Sequence, residues 1–491
     1  LVRPLTERDD RVAAFNPLFF NPALTVRLIT PRTVGGVRAG VDPLTGTVFP
    51  AAFIGGIVPG SGDPNNGMVV AATGDVPRAF IPDRGLHYGL RFGFAYDLTG
   101  KGKLAVRGGF GIYYNRQNLD VVLNPLSTQP PLVRTPVIQF GTFAGLRGTS
   151  EIATPQAVIG LDNIGKVPTV MNFSLGIQRS LGFKTILDLS YVGSLGRHLP
   201  WARDINSIPL GANFDPKNID PTRNVPLPAN FLRPIRGYGA INIREFAGSS
   251  NYHSMQLSVN RRFGKQLQFG GSWTWSKSLN YSSTDGANVT ILAPIRVWNY
   301  GLSDFDRTHV VKINYLYSLP KAGWKNPLAK YVINGWQVSG ITSFVSGTPA
   351  GVSFTTVSGI DTTGSASIMA RPDVVANPVL PKGDRTFSRN FNIGAFRQPA
   401  RGTLGTAAPT VIRGPGINNH DIAFFKNFRF LEKLNLQFRG EMYNAFNHTQ
   451  FSALDTAARF DNDGNQINAR LGEFTAARRA RLMQFALKLQ F

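Results

Sequence analysis

Hydrophobic and polar residues alternate with a period of two along much of the chain, which is the pattern of a β-strand with one apolar face. Residues 434–446 show this alternation most clearly. We call each set of alternate positions, which lies on one face of a strand, a parity. One parity of this segment carries Leu434, Leu436, Phe438, Gly440, Met442, Asn444 and Phe446, and the other carries Asn435, Gln437, Arg439, Glu441 and Tyr443. Helical periodicity is nearly absent, so the sequence predicts an all-β fold.

Further segments repeat the alternation and bring the predicted strands to about eleven. They are residues 86–98, 104–115, 167–181, 185–198, 253–263, 267–279, 309–319, 336–345, 421–430 and 480–491. Most of these strands run about 10 to 14 residues, roughly twice the usual five to six. A strand tilted by about 45° needs roughly 9 to 11 residues to cross a bilayer. Strand length therefore predicts an antiparallel transmembrane β-barrel.

The connections between these strands alternate between tight turns and long segments rich in Pro, Asn, Gly and Ser. The long segments are residues 117–166, 199–252, 280–307, 347–420 and 447–479. Outer-membrane barrels alternate short periplasmic turns with long external loops. With a periplasmic C-terminus, every long segment falls outside. Residues 1–85 are then an extracellular loop that follows an earlier, missing strand, and residues 86–491 are the barrel portion.

The odd number of strands is unexpected, because single-chain bacterial barrels generally have an even number. An open sheet of eleven strands would leave two edges of unpaired backbone groups in lipid, at a cost of roughly several kcal/mol per group. The sequence begins at Leu1 without a Met or a leader peptide. Either the strand count is off by one or the chain lacks its N-terminal part, and the missing Met and leader favour the second interpretation. We therefore expect the chain to be the C-terminal part of a longer barrel.

The composition argues against several classes of function. The 491 residues include no Cys, which removes thiol nucleophiles, Cys-ligated zinc, iron–sulfur clusters and disulfide scaffolds. The sequence contains no Ser/His/Asp elbow, phosphate loop or HExxH motif, and its six His residues lack metal-ligand spacing. We therefore expect neither an enzyme nor a bound cofactor or metal.

The net charge of +23 comes from Lys and Arg that are dispersed among turns, strand ends and loops. Nucleic-acid-binding proteins cluster such residues in a basic patch, so no nucleic-acid partner is expected. Outer-membrane lipid phosphates and lipopolysaccharide are anionic partners that fit a dispersed positive charge. Balance against an absent acidic plug is the other explanation.

The C-terminal strand carries the most specific signal in the sequence. Its apolar parity ends on an aromatic residue and consists of Met483, Phe485, Leu487, Leu489 and Phe491. This pattern resembles the terminal β-signal of outer-membrane proteins, which the barrel-assembly machinery reads by strand pairing. An ordinary amphipathic last strand is the alternative interpretation.

Four segments resemble, in sequence and in order, motifs of TonB-dependent transporters. They are residues 91–97 (RFGFAYD), 104–116 (LAVRGGFGIYYNR), 304–309 (DFDRTH) and 439–448 (RGEMYNAFNH). The closer resemblance is to Oar-like receptors, which carry a carboxypeptidase-regulatory-like domain at the N-terminus. It covers most of the chain from about residue 60 onward.

This resemblance implies a 22-stranded barrel in the outer membrane of a Gram-negative-type bacterium, plugged by an N-terminal domain. A short N-terminal segment would engage the TonB complex. The plug, that segment and about half of the strands are absent from this sequence, so the chain resembles the C-terminal half of such a barrel. The implied activity is energy-coupled uptake of a ligand that the sequence does not identify.

The polar faces of the strands predict the charges that would line the lumen of the barrel. These candidates are Asp97, Arg107, Asp188, Arg262, Lys312, Arg439 and Glu441. They either contact a plug or a ligand, or they form a solvated wall of compensating charges. Both interpretations remain open from the sequence.

Two other functions are compatible with parts of the pattern. A passive porin or a surface adhesin could use a similar barrel without a plug. A secreted soluble β-protein, such as a propeller enzyme, would instead have strands of about five residues and would bury the apolar parity in a protein interior.

Overall fold

The computed structural model describes residues 3–116, 120, 123–134, 152–162, 164–261, 266–321, 323, 326–359, 361–431 and 434–491. Within them, the main sheet has 16 strands, of which eleven form one continuous antiparallel path. The eleven are β1 (Arg91–Asp97), β2 (Leu104–Tyr114), β3 (Thr169–Gly182), β4 (Thr185–Asp204), β5 (Tyr238–Arg261), β6 (Leu267–Asn280), β7 (His309–Ser318), β8 (Trp336–Val345), β9 (Ile417–Leu431), β10 (Leu434–Tyr443) and β11 (Leu482–Gln490). Each strand pairs with its neighbours in the chain, so the predicted all-β antiparallel fold is confirmed.

The pairing register keeps the apolar parity of every strand on the same side of the sheet. Leu189 of β4, for example, lies opposite Ile177 of β3 and Leu257 of β5. Residues directly opposite in an antiparallel pair point to the same face. We call this side the apolar face; it includes Phe92, Phe110, Phe173, Ile177, Leu189, Leu257, Trp273, Ile313, Val338, Phe424, Phe438 and Leu487.

Two adjacent strands of the path, β4 and β5, are longer than the sequence predicts. β4 continues to Asp204 rather than ending at His198, and β5 begins at Tyr238 rather than at His253. Register shifts around Leu199 allow the ladder to continue through Pro200. Beyond this irregularity, protein covers the two strands, and Ala202 and Ile241 are fully buried. Alternation disappears where both faces of a strand are buried, which explains why the sequence pattern missed the extension.

The short connections lie at one end of the sheet, which we call the turn end, and the long connections lie at the other, the loop end. Phe183 and Lys184 form a two-residue hairpin turn at the turn end, and both have positive φ (47° and 57°). Such values are those of the type I′ turns that match the twist of a hairpin. Between β7 and β8, the turn end carries the short helix α3 (Pro327–Ile333).

The loop end carries two compact units. The first lobe comprises residues 3–85, 123–134, 152–162 and 199–246, and the second lobe comprises residues 346–416 and 447–479. In the first lobe, the strand Gln156–Leu161 pairs in parallel with both Ala13–Phe15 and the start of β5. In the second lobe, Ser353–Thr356 pairs in parallel with Ala457–Phe460. Residues 3–85 therefore contribute to a folded unit at the loop end.

The remaining described elements are short. The other strands are Thr30–Val34, Val37–Val41, Val48–Phe49, Met68–Val70, Ile219–Asp220, Val225–Pro226, Asn288–Val289, Gly301–Leu302, Pro349–Ala350, Asp373–Val374, Phe396–Arg397, Ile412–Arg413, Phe451–Leu454 and Phe474–Ala477. The other helices are α1 (Ala229–Leu232), α2 (Ile295–Asn299) and the 3-10 turns Pro17–Phe19, Pro22–Leu24, Ala51–Phe53, Asn124–Thr128, Ala212–Phe214, Pro216–Asn218, Lys382–Asp384 and Ile393–Ala395.

Candidate functional site

Outside the area beneath α3, the apolar face of the eleven-stranded sheet is not covered by protein. In the described part of the chain, every buried hydrophobic side chain lies in the lobes, in the extension of β4 and β5, or in the loop-end segment 289–298. On the sheet itself, Phe92 is 67% exposed and Trp275 is 52% exposed. An uncovered apolar surface of this extent marks contact with a membrane or a partner. The geometry therefore fits strands that have lipid on one side.

The opposite side, which we call the polar face, carries a continuous row of polar side chains. Seven adjacent strands, β3 to β9, contribute one residue each in direct register: Gln178, Asp188, Ser258, Ser272, Lys312, Ser343 and Asn419. Side chains directly opposite one another on neighbouring strands have Cβ atoms about 4.5 to 5.5 Å apart. The row therefore forms a hydrophilic wall of hydroxyl and amide groups with few charges.

Two of the predicted charges on this face meet across an intervening strand. Arg107 Nη2 of β2 lies 3.3 Å from Asp188 Oδ2 of β4. Gly176 of β3 lies opposite Arg107, and its missing side chain leaves room between them. A Cβ at Gly176 would approach the Ser190 hydroxyl oxygen to 2.4 Å, and that hydroxyl donates to Asp188 Oδ1 at 2.7 Å. The two charges compensate each other on the wall.

The other predicted charges have separate surroundings on the polar face. Lys312 is exposed and forms no ion pair within the described residues. Arg439 Nε donates to Gln437 Oε1 at 2.6 Å, and Glu441 accepts a 3.1 Å hydrogen bond from the Tyr443 hydroxyl. Asp97 lies at the turn end and accepts hydrogen bonds from the backbone N–H groups of Thr99 and Gly102, so it shapes that turn. Arg262 lies outside the described residues.

The C-terminal strand β11 forms one edge of the sheet. Phe485 lies opposite Gly440 of β10, and Leu487 lies opposite Phe438. The Phe438 and Phe485 rings stack with centroids 6.2 Å apart. Met483 and Leu489 continue the same row, and Phe491 follows the strand with 97% exposure. The apolar parity predicted for this strand therefore lies on the apolar face of the sheet.

A lysine that sequence reasoning missed is buried on the apolar face. Lys426 of β9 lies opposite Trp336 and Phe438 and is 2% exposed. Its ammonium group donates to the carbonyl oxygens of Tyr331, at 2.7 Å, and Asn334, and it lies 5.0 Å from the Phe428 ring centroid. The α3 segment thus folds over the apolar face and satisfies a cation that would otherwise face lipid.

Asp306 joins the loop end of the sheet to the second lobe. Its side chain is 1% exposed, and its carboxylate accepts 2.6 Å hydrogen bonds from the Ser278 N–H and from Arg413 Nη2. The neighbouring Arg307 donates to the Ser346 carbonyl oxygen at 3.0 Å. Burial lowers the pKa of Arg307, and the nearby positive charges of Arg478 and Arg413 lower it further. The DFDRTH segment therefore has a structural role at this junction.

A second buried carboxylate holds the first lobe together. Asp42 accepts hydrogen bonds from Arg27 Nε and Nη2 at 3.0 and 3.1 Å. These bonds hold the pKa of Asp42 well below its usual range, against the opposing effect of burial, and the Leu44 N–H and the Thr45 hydroxyl contribute in the same direction. Arg38 bonds Asp220 at 2.8 Å and so ties distant parts of this lobe together.

No set of three or more His, Asp or Glu side chains in the described ranges could hold a metal ion. The helices within those ranges are too short or too polar to cross a membrane.

Comparison with known proteins gives one family match and several similar folds. The family model described as outer membrane beta barrel domain matches residues 1–484. No curated protein matches the chain.

Among solved structures, the outer membrane transporter YddB from Escherichia coli is 11% identical, with a TM-score of 0.41 over 81% of this chain and 40% of that chain. The F5-1 variant of the FrpB iron transporter from Neisseria meningitidis is 13% identical, with a TM-score of 0.37 over 86% of this chain and 42% of that chain. The ferric enterobactin receptor mutant PfeA from Pseudomonas aeruginosa is 10% identical, with a TM-score of 0.38 over 82% of this chain and 40% of that chain. The chain thus spans about two fifths of the length of these proteins.

The family match extends over almost the whole sequence, and the uncovered apolar face is the surface that such a family requires. The chain therefore belongs to the outer membrane β-barrel domain family, and its location is the outer membrane.

Proposed function

We propose that this chain is the C-terminal half of an Oar-like, TonB-dependent receptor, which takes up a ligand through a plugged β-barrel. The observation that carries the proposal is the separation of an uncovered apolar face from a hydrophilic wall along the eleven-stranded path. A wall of this kind suits the lumen of a transport barrel. The two lobes at the loop end supply an extracellular surface on which a ligand could first bind.

The two edges of the path support a larger barrel. Within the described residues, β1 pairs only with β2, and β11 pairs only with β10. Unpaired edges in lipid are strongly unfavourable, because water cannot satisfy their backbone groups. A further set of strands of similar number would close the sheet into the 22-stranded barrel that the resemblance implies.

The proposed partners follow from the two faces and the ends of the sheet. The barrel-assembly machinery would read the β11 row of Met483, Phe485, Leu487, Leu489 and Phe491. Outer-membrane lipid and lipopolysaccharide would cover the apolar face, and the TonB complex would act through the N-terminal part of the receptor. The proposal includes no enzymatic activity, cofactor or nucleic-acid partner.

A passive porin or a surface adhesin is the second candidate. The observation that favours it is the size of the lobes, which have hydrophobic clusters of their own, such as Phe391, Phe396 and Phe460 in the second lobe. Folded units of this kind could present a binding surface without any transport step.

Single-cysteine labelling tests the orientation, since this chain has no Cys. A membrane-impermeant maleimide should label Thr45→Cys of the first lobe in intact cells, whereas Lys101→Cys at the turn end should react only after the outer membrane is permeabilised. The reverse pattern would contradict the proposal.

Cross-linking tests the energy-coupled step. The full-length protein should cross-link to the purified periplasmic domain of TonB, and deletion of its N-terminal TonB-engaging segment should abolish the product. A full-length protein that forms no such product would instead support the porin or adhesin.

A further inference from the structure

A groove with a volume of about 490 Å³ lies on the apolar face of the sheet, close to the loop end. The strand residues that line it on this face belong to two neighbouring rows. Tyr191, Met255 and Trp275 form one row across β4, β5 and β6, and His253 and Lys277 lie opposite each other in the next row towards the loop end. We call the surface formed by these side chains the loop-end groove.

The side chains at the edge of the loop-end groove are accessible from outside the sheet. Lys277 and His253 are exposed, and Tyr191 and Trp275 are 46% and 52% exposed. Lys277 forms no ion pair or side-chain hydrogen bond within the described residues. His253 shares one hydrogen bond, between its Nδ1 atom and the Tyr191 hydroxyl at 2.7 Å. A ligand in the groove therefore meets an ammonium group that no other part of the described chain engages.

The charges around the loop-end groove favour an anionic ligand. On β3 to β6, from the row of Arg197 to the row of Arg261, the apolar face carries no Asp or Glu. The lining of the groove includes neither, and its other cation, Arg413, is paired with the buried Asp306. A phosphate therefore meets Lys277 without a competing carboxylate, whereas the ammonium group of a zwitterionic lipid finds no carboxylate to bind.

The position of the groove along the strands corresponds to one edge of the membrane. Between His253 and Arg261, β5 carries only uncharged apolar side chains on the apolar face. At about 3.3 Å per residue this stretch measures about 26 Å, and a strand tilt of about 40° gives it a height of about 20 Å. The apolar band of outer-membrane barrels is about 25 Å tall. Lys277 thus lies near the edge of that band, from which a lysine side chain reaches the headgroups.

The uncharged part of the groove suits the remainder of a lipid. Tyr and Trp are enriched at membrane–water interfaces, because each joins an apolar ring to a polar group. Tyr191 stacks on His253 with ring centroids 6.1 Å apart, and Trp275 lies on the other side of Met255 in the same row. Leu302 also lines the groove. An apolar floor therefore adjoins a basic edge.

We propose that the loop-end groove binds lipopolysaccharide, with a phosphate group of its lipid portion at Lys277 and His253 and an acyl chain along Met255. The inference rests on the proposed function, because that orientation places the loop end outside, where lipopolysaccharide forms the outer leaflet. It gives one defined site to a partner that would otherwise cover the apolar face without preference.

The test uses the full-length protein, purified from the outer membrane and delipidated in detergent, with heat-modifiable migration as the check that each preparation is folded. Native mass spectrometry measures the affinity for three lipids: lipid A with both phosphates, the same lipid A after dephosphorylation, and phosphatidylglycerol. We expect the unchanged protein to bind bisphosphorylated lipid A more tightly than either of the other two lipids.

Substitutions of Lys277 connect this preference to the groove. Lys277→Gln should weaken the binding of bisphosphorylated lipid A by about fivefold, the effect of one cation beside an anionic lipid surface, and should leave the binding of dephosphorylated lipid A unchanged. Lys277→Arg keeps the charge and should bind as the unchanged protein does. Arg179→Gln is the matched control, because Arg179 is an exposed cation of the same face near the turn end. It should keep the affinity for bisphosphorylated lipid A.

Three results would overturn the inference. They are a comparison lipid that binds as tightly as bisphosphorylated lipid A, an affinity for bisphosphorylated lipid A that is unchanged in Lys277→Gln, and an equal loss of affinity in Lys277→Gln and Arg179→Gln. The labelling and cross-linking experiments decide the orientation and the receptor function separately, so the failure of one proposal is distinguishable from the failure of the other.

Discussion

Arg107 and Asp188 form an ion pair although their strands are not neighbours, because the pair spans β3 above Gly176. Both side chains are partly exposed, at 49% and 31%. The pair thus neutralises two of the charges on the polar face without removing them from water. Its contribution to stability is therefore expected to be small, as for other solvated pairs.

The first prediction compares two contributions to the free energy of unfolding: the charge of this ion pair, and the space that Gly176 leaves beside it. Asp188→Asn should change the free energy of unfolding by less than about 1 kcal/mol, because the pair is solvated. Gly176→Val should cost about 1 to 3 kcal/mol, the usual effect of overpacking, because its Cβ would displace the Ser190 hydroxyl. Denaturant titrations in micelles measure both; equal effects would mean that the charge itself provides the stability.

The second prediction uses two adjacent residues of β5 that point to opposite faces. Leu257 lies between Leu189 and Trp273 on the apolar face, and Ser258 lies beside Asp188 and Ser272 on the polar face. Leu257→Lys should destabilise the folded protein in lipid by about 2 to 4 kcal/mol, as for a cation near the bilayer midplane. Ser258→Lys places the same charge in water and serves as the control. Similar folding yields in liposomes would contradict the assignment of the two faces.

The third prediction concerns the lysine beneath α3. Lys426→Met should leave the carbonyl groups of Tyr331 and Asn334 without the ammonium group and cost about 1 to 3 kcal/mol. Lys312→Met, on the exposed polar face, should stay within about 0.5 kcal/mol. Hydrogen exchange of residues 326–334 gives a direct measure, and protection that is unchanged in Lys426→Met would show that α3 is held by other contacts.

The fourth prediction concerns acid stability of the first lobe. Because Arg27 lowers the pKa of Asp42 in the folded state, this pair stabilises the lobe fully above the unfolded pKa of about 3.9. That stability is lost as the pH falls below this value toward the folded pKa. Pepsin should therefore cleave the lobe increasingly as the pH falls below about 4.

At about pH 4 to 5, where the unchanged chain keeps this pair, Asp42→Asn should be cleaved more readily than the unchanged chain, and its cleavage should depend less on pH. Asp9→Asn, an exposed carboxylate of the same lobe, is the control and should follow the unchanged chain. Parallel pH profiles for the unchanged chain and Asp42→Asn would contradict this role of Asp42.

The sequence pattern is most informative where one face of a strand meets lipid and the other meets water. β8 is predicted and observed over Trp336–Val345, since its alternation is uninterrupted. The first half of β5 could not be found in this way, because residues such as Ile241, Ile243 and Phe246 are buried in the first lobe. Period-two alternation reports a difference between two faces and fails where the lobe removes that difference.

The surroundings of the candidate functional residues also depend on contacts that the alternation within one strand does not reveal. The pairing of Arg107 with Asp188 needs the register of three strands, which the sequence of each strand alone does not provide. Lys426 is visible in the sequence as a cation between Phe424 and Phe428 on the apolar parity. Its environment depends on α3, a helix with only seven residues and no strong periodic signal.

The parallel strand Gln156–Leu161 joins segments of the first lobe that are far apart in the sequence. It lies between Ala13–Phe15 and the start of β5, so the centre of the first lobe needs segments separated by more than two hundred residues. Contacts of such long range form late, after the chain entropy of closing a large loop has been overcome. With the orientation proposed above, we expect the polypeptide to cross the membrane as a flexible chain, before this lobe completes its core, rather than as a preformed globule.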